Sequence, residues 1–314
     1  MQPSMSAKHL PNFLVIGVQK AGTTSIYRYL RQHPQVYMSP VKETNFLERD
    51  WTEQTTSKVK KPKKVNTLEK YIALFDDVQD ELAIGEASPN YLFHYKKSIP
   101  TIQNLVPDAK LVVILRNPIE RAYSDYLMHL RDAINGVECR SLSEQASRRP
   151  ITSHQIRKGF YAESLQAFMN QFGVDKVNVC LYDDLVQDPV AMMQGIYRFI
   201  GVDDSFVPDT SVRAQKAAVP QNKTVHRVLQ TRNPLRNFAG SILRLFLPET
   251  TRQGIRRYLL SLNYKDKSSL PLSIEERQLL RELYRDDILQ LQEILQRDLS
   301  SWLALPESSK PKSR

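Results

Sequence analysis

Asn12-Phe-Leu-Val-Ile-Gly-Val-Gln-Lys-Ala-Gly-Thr-Thr-Ser25 is the stretch that decides the fold. Its first seven residues form a continuous apolar run of strand length after Pro11, the pattern of a parallel strand buried on both faces. From Thr24 to Leu30 the spacing becomes helical. Strand, glycine-bearing loop and helix in that order open a βαβ unit.

Two further strand-to-helix switches follow. Ala109-Lys-Leu-Val-Val-Ile-Leu115 ends in Arg116-Asn117-Pro118, where Asn117 suits a helix N-cap and Pro118 its first turn. Val177-Asn-Val-Cys-Leu-Tyr182 precedes Asp183-Asp184 and a helix from near Pro189 to Ile200, closed by Gly201. Strands alternating with helices predict an α/β fold with a central parallel sheet flanked by helices. Ile274 to Leu295 reads as a long amphipathic helix. Residues 52–67, polar and rich in lysine, read as a mobile surface loop, with Lys58, Lys60, Lys61, Lys63 and Lys64 able to attract an anion.

Composition narrows the function. The 314 residues, 41% of them hydrophobic, suffice for one large α/β domain, and we expect a single domain over 1–314. That domain has a core at about 12–205, a C-terminal helical part at 206–305 and a disordered tail at 306–314. Cys139 and Cys180 lie in no metal-ligand spacing, so neither a disulfide scaffold nor a zinc site is expected. No window reaches the length of about 20 apolar residues that a membrane span needs, and the chain reads as cytoplasmic. With 44 Lys+Arg against 34 Asp+Glu, a formal charge of +10 favours anionic partners.

The loop between the first strand and helix resembles a nucleotide phosphate cradle. Gly17 and Gly22 stand five apart, so successive backbone N–H groups can surround a phosphate at the helix N-terminus. The loop lacks the Gly-Lys-Ser/Thr ending of a nucleotide kinase, because Thr23 follows Gly22 and the lysine stands earlier, at Lys20. The second strand ends in Arg116, which suits an anion, where a magnesium enzyme would place an acid. Both departures count against a nucleotide kinase-like phosphotransferase, which is the first alternative. A non-enzymatic nucleic-acid-binding protein is another, resting on charge alone and lacking any recognition signature.

These residues resemble the PAPS-dependent sulfotransferases, especially the heparan-sulfate sulfotransferase domains and their soluble bacterial relatives. The resemblance implies that Gln19 and Lys20-Ala21-Gly22-Thr23-Thr24-Ser25 hold the 5′-phosphosulfate of 3′-phosphoadenosine-5′-phosphosulfate (PAPS). Leu115-Arg116-Asn117-Pro118 through Arg121-Ala-Tyr-Ser124-Asp-Tyr126 would hold the 3′-phosphate, with Arg116 and Ser124 as ligands. In Lys42-Glu43-Thr44-Asn45-Phe46 the resemblance makes Glu43 the general base, while Lys20 stabilises the leaving phosphate. Gly85-Glu86-Ala87-Ser88-Pro89-Asn90-Tyr91, Lys158-Gly159-Phe160-Tyr161, Tyr182-Asp183-Asp184-Leu185 with Asp188-Pro189, and Asp298-Leu299-Ser300-Ser301-Trp302 extend the match.

What the resemblance implies is transfer of a sulfuryl group from PAPS, without a metal, to a hydroxyl or amine of a small molecule, saccharide, lipid or carrier-bound acyl chain. No nucleic-acid partner and no membrane span are expected. Tyr161 and Tyr91 are candidates to line the nucleotide or acceptor pocket. His33 and His129 are rival bases, each placed where packing or capping histidines also occur. Two features depart from the heparan type. Ala87 stands where those enzymes place a lysine near the acceptor, and their Lys-Gly-Arg loop over the donor is not evident. Arg213, Lys216, Lys223 and Arg227 are possible substitutes for it.

Overall fold

The computed structural model describes residues 9–48, 65–133, 141–148, 152–211, 218–220, 264–266 and 272–305. Five strands form one parallel sheet: β1 (Phe13–Gly17), β2 (Val36–Met38), β3 (Ala83–Ala87), β4 (Lys110–Leu115) and β5 (Val177–Leu181). Their order is β2-β3-β1-β4-β5. The helices are α1 (Thr23–Leu30), α2 (Leu68–Ile72), α3 (Tyr95–Leu105), α4 (Pro118–Ala133), α5 (Leu142–Arg148), α6 (His154–Arg157), α7 (Ala162–Phe172), α8 (Tyr182–Gln187) and α9 (Pro189–Ile200). After β6 (Ala218–Pro220) and β7 (Tyr264–Asp266), an antiparallel pair, come α10 (Ile274–Leu295) and α11 (Ser300–Leu303).

Every residue of β1 and β3 is buried, which requires cover on both faces of the sheet. The chain runs from β1 out to the edge at β2, returns to β3, then crosses β1 to reach β4 and β5. The direction of winding therefore reverses around β1. In open parallel sheets that switch point, at the carboxyl ends of the strands, is where ligands bind.

Phe13, which opens β1, is paired with Gly85 of β3. A Cβ on Gly85 would lie 2.1 Å from Phe13 Cζ, so glycine at this place in β3 leaves room for the ring. Phe13 is fully buried, and removing its ring would cost about 3–5 kcal/mol.

The expected strands lie where the apolar runs placed them, and the helices over Pro189–Ile200 and Ile274–Leu295 have the bounds read from the sequence. One boundary moved. Tyr182 opens α8, because the Asp184 carboxylate accepts from the Leu181 N–H at 3.2 Å and turns the chain into a helix at once. Asn117 caps α4 as expected, its Oδ1 accepting from Ile119 N at 3.0 Å with Pro118 in the first turn.

The chain divides into two compact units. One comprises Met1–Arg121, Lys158–Ala214 and Tyr284–Ala304 and contains the parallel sheet; the other comprises Ala122–Arg157, Gln215–Leu283 and Leu305–Arg314. Lysines 58 to 64, the tail after residue 305, and Arg213, Lys216, Lys223 and Arg227 lie outside the described residues. No helix among the described residues is long and apolar enough to cross a membrane.

Candidate active site

Three loops leave the carboxyl ends of β1, β3 and β4, the strands at the switch point. The β1 loop is shaped by two left-handed residues, Lys20 at φ +71° and Gly22 at φ +93°. Gly22 is the N-cap of α1 and has no side chain to offer the first helical N–H groups, so the helix end is left for an anion. A Cβ on Gly22 would meet Leu185 Cδ2 at 2.5 Å, so sterics as well as φ call for glycine. Ala21, Thr23 and Ser25 are buried along this turn, and Thr24 is half-buried.

Arg116, the first residue after β4, holds the loop from below. Its Nη1 donates to the Lys20 carbonyl at 2.8 Å, and its guanidinium lies 4.5 Å from the centre of the Tyr182 ring. The Tyr161 hydroxyl in turn donates to the Arg116 carbonyl at 3.0 Å. Tyr161 is fully buried, and burial pushes its phenol pKa well above the usual range. Ser124 lies on α4, eight residues after Arg116, and is buried. Arg121 on the same helix is fully buried.

Glu43 sits in a separate loop that follows β2. The chain after Pro40 folds back onto β3, the neighbour of β1: Glu43 N donates to the Ala87 carbonyl at 2.9 Å and Asn45 N to Ser88 Oγ at 3.0 Å. Both Glu43 (φ +62°) and Asn45 (φ +48°) are left-handed. The Glu43 carboxylate is exposed and accepts from Lys42 Nζ at 2.5 Å.

Beside the β1 loop is a crevice lined by Val18, Gln19, Leu92, Phe93, Lys158 and Phe160. Lys158 Nζ donates to Gln19 Oε1 at 2.5 Å and lies 5.6 Å from the Phe93 ring centre.

The rival bases fare differently. His33 is buried, with Nδ1 accepting from Gln35 N at 3.1 Å and Nε2 placed 2.9 Å from the Asp203 carbonyl, so both ring nitrogens are engaged by backbone just before β2 and just after α9. His129 is half-exposed on α4, its Nδ1 2.9 Å from the Asp125 carbonyl. Tyr91 is buried, its hydroxyl 2.7 Å from Glu86 Oε1.

Sequence reasoning gave no role to three supporting residues, although Asp184 and Glu86 lie in stretches that extend the match. Asp287 of α10 accepts from the N–H groups of Tyr161 at 2.8 Å and Ala162 at 3.1 Å, capping α7, and burial pushes its carboxyl up to about 6. It lies 126 positions from Tyr161, and no local pattern announces it. Asp184 takes both guanidinium nitrogens of Arg297, which holds its carboxyl below the usual range. Glu86 is fully buried in β3; a carboxylate inside the run Ala-Ile-Gly-Glu-Ala was the available signal.

A profile of the Sulfotransferase family matches residues 11–206, which takes in the sheet and all three loops. The chain belongs to the sulfotransferase family. A sulfotransferase from Alicyclobacillus acidocaldarius has a similar structure, with a TM-score of 0.65 and 27% identity, covering 94% of this chain and all of that one. Among curated relatives, the mouse bifunctional heparan sulfate N-deacetylase/N-sulfotransferase 4 is 25% identical over 94% of this chain and 31% of its own length. Mouse heparan sulfate glucosamine 3-O-sulfotransferase 6 is 27% identical over 62% of this chain and 53% of its own. The chain thus spans between about a third and about half of these two relatives. The central parallel sheet with its flanking helices and phosphate loop is the sulfotransferase type of α/β fold.

Proposed function

We propose that this family member transfers a sulfuryl group from PAPS to a hydroxyl or amine acceptor. The observation that carries the reading is the β1 loop: a glycine N-cap in the left-handed region, an uncapped helix N-terminus, and an arginine from the next strand locked under the loop. That arrangement suits a nucleotide phosphosulfate. Backbone N–H groups and the hydroxyls of Thr23, Thr24 and Ser25 would surround the 5′-phosphosulfate, with Lys20 countering charge on the leaving phosphate oxygen. Arg116 and Ser124 would take the 3′-phosphate, and Tyr161 would support Arg116 from behind. The +10 charge agrees with an anionic donor.

In this reading the acceptor heteroatom attacks sulfur in line, the bond from sulfur to the phosphate oxygen breaks, and Glu43 takes the acceptor proton. The Lys42 ammonium beside Glu43 must then turn aside or follow the proton. Ala87 stands where the resemblance implies a lysine near the acceptor, which counts against a polysaccharide acceptor.

The test is a thermal shift with adenosine 3′,5′-bisphosphate (PAP) in the presence of a chelator. At about 100 times its dissociation constant the nucleotide should add roughly 2.7 kcal/mol of apparent stability. No shift at millimolar nucleotide, or a shift that needs Mg²⁺, would overturn the donor assignment. Labelled PAPS offered with alcohols, phenols, sugars, lipids and carrier-bound hydroxyacyl groups then identifies the acceptor.

A further inference from the structure

Glu86 has no part in the reaction just described, yet it is the centre of a polar cluster inside an apolar sheet. Its Oε1 accepts from three hydroxyls: Thr44 Oγ1 at 2.6 Å, Ser88 Oγ at 2.5 Å and Tyr91 OH at 2.7 Å. Its Oε2 accepts from Tyr71 OH at 2.5 Å. A hydroxyl has one proton to give and two lone pairs to receive with. Once its proton is committed to Glu86, each of the first three can only accept from its other neighbours.

Those neighbours are consecutive amides of one loop. Ser88 Oγ accepts from Asn45 N at 3.0 Å, Thr44 Oγ1 from Phe46 N at 3.2 Å and Tyr91 OH from Leu47 N at 3.2 Å. The loop needs such anchoring, because Glu43 and Asn45 both occupy the left-handed region that residues with a Cβ seldom hold. It is tied to β3 at its other end, where Glu43 N meets the Ala87 carbonyl, and Ser88, the residue after β3, is itself held to β1 by its N–H on the Val15 carbonyl at 3.0 Å. Phe46 stacks on Tyr71, with ring centres 4.3 Å apart, and closes the cluster to water.

We propose that Glu86 is the positioning residue for Glu43. By accepting hydrogen bonds from Thr44, Ser88 and Tyr91 it turns their lone pairs toward the amides of residues 45 to 47, and so fixes the strained turn that presents Glu43 at the carboxyl end of the sheet. This inference rests on the reading of Glu43 as the base, and its test is chosen so that the two can fail separately.

Amide hydrogen exchange on the whole chain, read by mass spectrometry over residues 43–47, needs no acceptor. Thr44→Val keeps the shape and removes the hydroxyl, so exchange across 43–47 should quicken by about tenfold, while the β1 and β3 amides and PAP affinity stay near wild type. Thr44→Ser restores the hydroxyl and should restore protection. Glu86→Leu should loosen the same five residues further. Where that variant does not fold, Ser88→Ala, which strips one acceptor from Asn45 N, takes its place with the same expectation.

Exchange in Thr44→Val and Ser88→Ala that stays within about twofold of wild type would overturn the proposal. So would an increase spread evenly over β1 and β3 with loss of PAP affinity, since that marks general support of the sheet. A wrong assignment of Glu43 shows elsewhere: Glu43→Gln would keep its turnover whatever the exchange pattern of the loop.

Discussion

The two loops that meet the carboxyl ends of β1 and β3 are built by opposite means. The β1 loop is mostly backbone: a left-handed glycine, a helix end without a cap and one carbonyl held by Arg116. The Glu43 loop is held by side chains, through three hydroxyls gathered on a buried carboxylate. A site made of peptide N–H groups can surround a phosphate of almost any nucleotide. A loop that is to hold one carboxylate in place gains from side-chain supports, which here anchor a turn with two left-handed residues, Glu43 and Asn45. The contrast predicts that damage to the first loop appears as lost donor binding, and damage to the second as lost turnover.

The strongest way to break this contrast is Glu43→Gln. It keeps size and hydrogen-bonding capacity but accepts no proton, so single-turnover rates should fall by about 10²–10⁴-fold while the PAP dissociation constant hardly changes. Near-normal turnover would remove Glu43 from the chemistry, and His129 would be the next position to replace, since both ring nitrogens of His33 are engaged. Lys20→Ala should impair both quantities, because that ammonium would touch the donor before and during transfer.

Arg116→Ala should weaken PAP by about 10- to 100-fold, as expected for one charge-assisted contact, and leave the analogue without the 3′-phosphate less affected. Equal losses for both ligands in a calorimetric titration would show that Arg116 acts only through the Lys20 carbonyl. Gly22→Ala sharpens the same point with a smaller effect. The new methyl would meet Leu185 at φ +93°, so a loss of about 1–3 kcal/mol in stability is expected, with weaker nucleotide binding and little change in the rate from the bound state.

The smallest expected effect concerns pH. The Asp287 carboxyl is held up to about 6 by burial, against 3.8 when unfolded, although the Tyr161 and Ala162 N–H groups pull the other way. A raised folded pKa means that its contribution is full below pH 3.8 and is lost as pH rises through about 6. Asp287→Asn does not titrate, so its melting temperature relative to wild type should improve between pH 4 and 7. A constant difference across that range would show that the N–H contacts outweigh burial.

Much of the fold was legible from local pattern. The apolar runs at 12–18, 109–115 and 177–182 became β1, β4 and β5, since a strand buried on both faces needs continuous apolar residues. β2 and β3 were not read as strands. Val36–Met38 is too short to show a period, and Ala83–Ala87 carries Gly85 and Glu86, both of which argue against a strand until Phe13 is packed on one and four hydroxyls are gathered on the other.

Glycine spacing, an early lysine and a strand-to-helix switch act within about ten residues, so local sequence alone specifies the loop that joins β1 to α1. It also placed Arg116, whose position at a strand end follows from the run before it. Tertiary structure alone decided what surrounds those groups: Tyr182 under the Arg116 guanidinium, Asp287 capping the helix that carries Tyr161, and Glu86 ordering the loop of Glu43. Each joins residues far apart in the chain, and their pairing depends on which strands lie side by side. Local pattern specifies a strand or a loop; only the order β2-β3-β1-β4-β5 sets a buried carboxylate on one strand beneath a loop that follows another.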